Sequence, residues 1–153
     1  VAKFYSTKTY GNDRGLSCCF RQWGATHSHC SLLHGYSIGI KLIFECDTLD
    51  DKNWCMDFGG MKEFKAWADY MFDHTLVIAR DDPEFETLNA LDGKLADVRV
   101  VDAVGCEMFA KLCYDKMDEI LVNGLTHYPI NPTVRIKSVE VFEHGSNSAT
   151  YER

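Results

Sequence analysis

The amino-acid sequence predicts an α+β fold, with helices stacked on one face of an antiparallel β-sheet. Three observations predict it. Apolar alternation of period two runs through the first third of the chain, two later stretches carry apolar residues at three- and four-residue spacing, and the last third closes on a segment rich in β-branched residues. With 153 residues, 46% of them hydrophobic, the chain fits one domain spanning 1–153 whose core needs no staples.

The elements follow in order. "FYSTKTY" and "LSCCFRQW" fit strands. In "SIGIKLIFE" the residues Ile38, Ile40, Leu42 and Phe44 share one side, the mark of a strand with one covered face, and His34 and Tyr36 have the same parity. The polar "CDTLDDKN" reads as a turn and "WCMDF" as a short returning strand, a β-hairpin that ends at the glycines of "DFGG". Met61, Phe64, Trp67, Ala68, Met71 and Phe72 make the apolar stripe of a helix with Asp73 and His74 at its end. "RDDPEFETLNALDGK" carries Pro near its start and Gly near its close, so it predicts a short helix, and "ADVRVV" a brief strand. A second long helix is expected from about Cys106 to Val122, with Gly124 to end it. Two prolines make "YPINP" a loop. "TVRIKSVEVFE" is a strand whose alternation slips between Ile136 and Val139, which predicts a bulge. A sheet this small leaves open edges and a bare face, and oligomerisation would cover both.

A formal charge of −7 and the lack of a basic run argue against a nucleic-acid partner, which demands concentrated positive charge. The sequence has no apolar run of bilayer length and its start has no signal-like apolar core, so neither a membrane nor an export role is expected and the chain reads as cytoplasmic. Seven cysteines, an odd number with no CxxC pair, read mostly as buried thiols.

Chemistry concentrates in "HSHCSLLHGY", residues 27 to 36. Imidazoles near Cys30 would favour its thiolate, the form that takes a proton or attacks carbon; the bland alternative is an ordinary thiol beside surface histidines. His27, His29 and His34 could supply the three protein ligands of a catalytic zinc, or stand as solvated loop residues. Asp73 next to His74 can form an acid–base pair or mark a helix terminus. Glu143, in "VEVFEHG", is either a solvated strand-end carboxylate or an acceptor for a guanidine-like heterocyclic edge.

Taken together, "HCSLLHGY", "MDFGGMK", "FDHTL", "GCEMFAK" and "VEVFEHG" resemble the 6-pyruvoyltetrahydropterin synthase and 6-carboxytetrahydropterin synthase family, in that family's order and at about its spacing, from about Leu16 to Tyr151. The resemblance implies the tunnelling fold: an antiparallel sheet with two main helices on its outer face, assembled by threes into a barrel and commonly paired as a hexamer, with active sites between subunits. It implies a lyase acting on a small pterin, 7,8-dihydroneopterin triphosphate, whose carboxy-forming branch lies on the route to queuosine and other 7-deazaguanines.

Carried over by position, Cys30 is the proton-abstracting cysteine, Asp73 and His74 the second acid–base relay, and Glu143 the pterin anchor. Glu107, with the backbone of Gly105 and Cys106, also touches the pterin. The family's zinc is held by three histidines, and here the pattern is incomplete. "CCFRQW" has no histidine in the first position and "HGY" replaces "HGH", so His34 alone matches. His27 or His29 would have to complete the set, and Tyr36 reads as a pocket-lining residue. A rebuilt zinc site, a different metal, or none are the three outcomes left open.

Overall fold

The computed structural model describes residues 2–124 and 128–153. Among the described residues, seven strands and three α-helices run in the order β1 (Phe4–Tyr10), β2 (Leu16–Phe20), β3 (His34–Cys46), α1 (Lys62–Phe72), β4 (Thr75–Ala79), α2 (Phe85–Asn89), β5 (Val98–Val101), α3 (Cys106–Asn123), β6 (Arg135–His144) and β7 (Asn147–Glu152). The long strand β3 is the centre. Along one edge it pairs antiparallel with β2 over His34–Ile38 and with β1 over Ile40–Cys46; along the other it pairs with β6, which pairs with β7. Beyond β2 the sheet continues through β4 and β5 in parallel register, an extension of the expected antiparallel sheet.

One chain passes from β1 to β2 across β3 at Gly39, where a β-carbon would stand 3.0 Å from the Tyr10 carbonyl oxygen; the alternation of β3 is interrupted there by a residue with no side chain. The two long helices, α1 and α3, lie on one face, while Leu88 of α2 packs with Leu76, Ile78 and Val98 on the other. Phe64, Ala68 and Phe72 of α1 and Phe109, Ala110, Cys113 and Met117 of α3 pack with Ile38, Ile40, Leu42, Phe44, Val139 and Val141 in a common core. Each helix shows one buried stripe because its apolar residues recur at near-helical spacing.

The expected bulge is present. Ile43 faces Ser138 while Phe44 faces Ile136, so Lys137 is the extra residue and both flanking apolar side chains stay inside. The expected returning strand in "WCMDF" is not formed. Asp50 accepts hydrogen bonds from the backbone of Lys52 (2.8 Å) and Trp54 (3.0 Å), which closes a turn, and Asp57 caps a short 3₁₀ turn over Phe58–Met61 through Gly59 N–H (2.9 Å). Both edges of β3 are already occupied beside that turn, so a hairpin partner has nowhere to pair. The sequence reading also lacked β7, which follows β6 after a tight Gly145–Ser146 turn.

Candidate functional site

Four chain segments meet beyond the Phe20 end of β2. Phe20 and His34 close the β2–β3 pairing, and the loop between them carries His27, Ser28 and Cys30. Glu143 stands near the end of β6, β7 begins at Asn147, and α3 begins at Cys106. Between them lies a cavity of about 330 Å³, lined by Gln22, His27, Cys30 and Tyr36 on one side and by Gly105, Cys106, Glu107, Glu143, Asn147 and Ser148 on the other.

Cys30 is exposed, in a 3₁₀ turn whose start is capped by Ser28: the Cys30 N–H donates to Ser28 Oγ at 3.1 Å. Gln22 joins the loop to the helix start. Its N–H donates to the Cys30 carbonyl (2.7 Å) and its side-chain amide to the Val104 carbonyl (3.0 Å). Gly105 has φ of 115°, in the region that favours glycine, and a β-carbon there would sit 3.0 Å from Gln22 Nε2. The first N–H groups of α3 therefore open onto the cavity with no partner within the helix.

Charge in the cavity is negative. Glu107 and Glu143 both line it, and burial, then the charge of Glu143, then that of Glu107, push the Cys106 thiol up to about 11. Burial first and Glu143 second also raise the Tyr36 phenol. Tyr36 stacks on Phe20 with ring centroids 4.7 Å apart, and Phe20 meets Phe109 edge-on at 5.0 Å, so the phenol is braced from the core. Near neutral pH Cys106 is a thiol and Tyr36 a neutral hydroxyl.

Of the expected residues, Cys30, Glu143, Glu107, Gly105, Cys106 and His27 share this cavity. Asp73 and His74 pair with each other elsewhere: His74 Nδ1 lies 2.9 Å from Asp73 Oδ1, and the pair is fastened to Ser17, whose carbonyl accepts His74 N–H at 2.6 Å. Ser17 lies three positions before Phe20 on β2, about 10 Å away. His74 has φ of 58°, rarely adopted by residues other than glycine, and its ring is 84% exposed.

The three histidines expected to bind metal are not gathered into a site. His27 lines the cavity; His29 lies in the Cys30 turn; His34 starts β3 with its Nδ1 2.7 Å from the Leu32 carbonyl and its ring 6.2 Å from that of Tyr36. Among the described residues no three of His, Cys, Asp and Glu stand where they could hold one ion. The positions beside His34 that would complete a triad carry Phe20, its partner across the β2–β3 pairing, and Tyr36, a phenol that stacks on Phe20 and whose ionisation is disfavoured. The donor set does not fit the family's three-histidine zinc.

Sequence reasoning missed Asn147 and Ser148 because it missed β7. The two-residue Gly-Ser turn between β-rich segments was the available signal.

A mixed sheet with two long helices on one face and a cavity at the strand ends defines a tunnelling-fold protein. An uncharacterized protein of Wolinella succinogenes has this fold at a TM-score of 0.77, with 18% identity over 100% of this chain and 99% of that one. The 6-pyruvoyltetrahydropterin synthase of Plasmodium vivax matches at a TM-score of 0.66, with 14% identity over 100% and 99% of the two chains. The chain belongs to the 6-pyruvoyl tetrahydropterin synthase family, whose model matches residues 12–153, and with that family it is a lyase. It is also similar to the 6-carboxy-5,6,7,8-tetrahydropterin synthase of Aquifex aeolicus, with 25% identity over 80% of this chain and 75% of the relative. The like-named protein of Rickettsia conorii is 34% identical over 36% of this chain and 41% of its own length.

Proposed function

We propose that this chain is a lyase of the 6-carboxy-5,6,7,8-tetrahydropterin synthase type, acting on 7,8-dihydroneopterin triphosphate on the route to 7-deazaguanines such as queuosine. The observation that carries the reading is that Cys30 and Glu143 line one cavity. The Glu143 carboxylate accepts the ring N–H and exocyclic amine of the pterin in parallel, while the free N–H groups at Cys106 and Glu107 meet its acceptors. Cys30 removes a proton from the side-chain carbon next to a hydroxyl. Of the two thiols in the cavity Cys106 is the unsuitable base, held protonated to about 11. The carboxylates repel phosphate, so the triphosphate points outward.

Exposed His74 and half-buried Asp73, both outside their own chain's cavity, serve the cavity of a neighbouring protomer as the second acid–base pair, in a homo-oligomer of three or six chains. No step in this account runs through zinc. Incubation with 7,8-dihydroneopterin triphosphate tests the reading. Acetaldehyde with the carboxy product supports it; a pyruvoyl product without acetaldehyde favours the sister reaction, 6-pyruvoyltetrahydropterin synthesis.

A second reading draws on the incomplete histidine set: a pterin- or purine-binding protein that keeps the Glu143 pocket without turnover. Tight pterin binding with no product from any reduced pterin would favour it.

A further inference from the structure

The loop that carries Cys30 leaves the sheet after Phe20 and returns at His34, and its backbone is held by an ion pair between half-buried Arg21 and buried Asp82, neither of which lines the cavity. Arg21 Nε and Nη2 donate to the two oxygens of Asp82 at 2.8 and 2.6 Å, and the remaining nitrogen, Nη1, donates to the Ser31 carbonyl at 2.9 Å. The Asp82 side chain is 1% exposed, and Oδ1 also accepts the Glu84 N–H at 2.8 Å, so the carboxylate is fixed by the start of α2. The next residue along, Gln22, takes the Cys30 carbonyl. Two consecutive residues after β2 thus grip two consecutive carbonyls of the loop, and Asp82 sets the orientation of one grip.

We infer that Asp82, acting through Arg21, is a positioning residue that holds the Cys30–Ser31 backbone and so aims the Cys30 sulfur into the cavity. The inference rests on the reading of Cys30 as the proton-abstracting group. A planar guanidinium with its fork closed on one carboxylate has a single orientation, and only that orientation leaves Nη1 directed at Ser31. Neither residue is among those lining the cavity, so the clamp bears on placement of the thiol and not on grip of the heterocycle.

The test uses the full chain with Asp82→Asn and Arg21→Lys, both of which keep size and break the fork. Three readouts are taken: kcat and KM for the pterin substrate, pterin affinity by fluorescence, and the rate at which iodoacetamide labels Cys30, followed by peptide mass spectrometry. In either variant kcat falls on the order of 10- to 100-fold, KM and pterin affinity stay within about twofold, and the labelling rate changes at least about threefold. Unchanged kcat and labelling in folded variants overturn the clamp, as does a parallel loss of kcat and pterin affinity matching the unfolded fraction. If Asp82→Asn does not fold, Arg21→Lys decides alone. Failure of the Cys30 reading looks different: Cys30→Ala then turns over at the parent rate, while labelling of Cys30 in the Asp82 variant still reports on the clamp.

Discussion

Cys30 and Cys106 face the same space under opposite conditions: one is exposed on a turn, the other is kept protonated by burial first and then by the charges of Glu143 and Glu107. Replacing Cys30 by Ala is expected to remove turnover and leave pterin affinity within about twofold, measured by steady-state kinetics and fluorescence titration. Glu143→Gln does the reverse. It substitutes a neutral amide for a charge-assisted acceptor of two bonds, and KM rises roughly 10- to 100-fold with kcat less affected. Asp82 makes a pH prediction. The Arg21 fork holds its carboxyl below the usual carboxylate range, so the stability it contributes is full above that range and is lost as pH falls through the lowered folded-state value. Urea midpoints measured from about pH 5 to pH 2 should therefore fall more steeply for the parent than for Asp82→Asn. That Cys30, Glu143 and Glu107 share a cavity was legible from short motifs, because Glu143 and Glu107 stand near the ends of elements with clear periodicity and Cys30 lies in the turn just before another. Arg21 and Asp82 were not, since their meaning depends on a bidentate contact across 61 positions.

The elements that build the cavity differ in how openly the chain announces them. Both long helices and β3 were readable because one face of each is buried, which imprints a period of 3.6 or 2 on the residues. The returning strand in "WCMDF" was a misreading. Asp50 and Asp57 spend their side chains on local backbone N–H groups, a competition that alternation alone does not reveal. At the join of β2 and β3, Phe20 and Tyr36 stand beside His34 where a histidine set would be completed. The chain purified without added metal is therefore expected to hold zinc far below one ion per protomer by elemental analysis. The double variant Phe20→His with Tyr36→His, beside His34, should raise it toward roughly one. Zinc near one per protomer in the parent would refute this account of the two elements. Phe109 links α3 to the Phe20–Tyr36 stack and is fully buried; Phe109→Ala should cost about 3–5 kcal/mol in urea unfolding.

At the scale of the molecule, the sheet face opposite the two long helices carries Thr7, Lys41, Ile43, Glu45 and Glu140, and β1, β5 and β7 lie at its margins. Whether another protomer covers them is not written in one chain's periodicity, because residues facing a protomer alternate just as those facing solvent do. The separation of Asp73 and His74 from the Cys30 cavity supplies a test. Cys30→Ala and His74→Ala chains, each inactive alone, should regain part of the parent rate when refolded together if protomers complete one another's sites, and none if each site is self-contained. The central claim is that one cavity seats the heterocycle on Glu143 with its side chain toward Cys30. The crystal structure of the chain soaked with a pterin tests it most directly. The bound pterin is expected to place its ring N–H and exocyclic amine within hydrogen-bonding distance of the Glu143 carboxylate, with its side-chain carbons facing the Cys30 sulfur. A pterin lodged elsewhere, or bound there with its side chain turned away from Cys30, would contradict it.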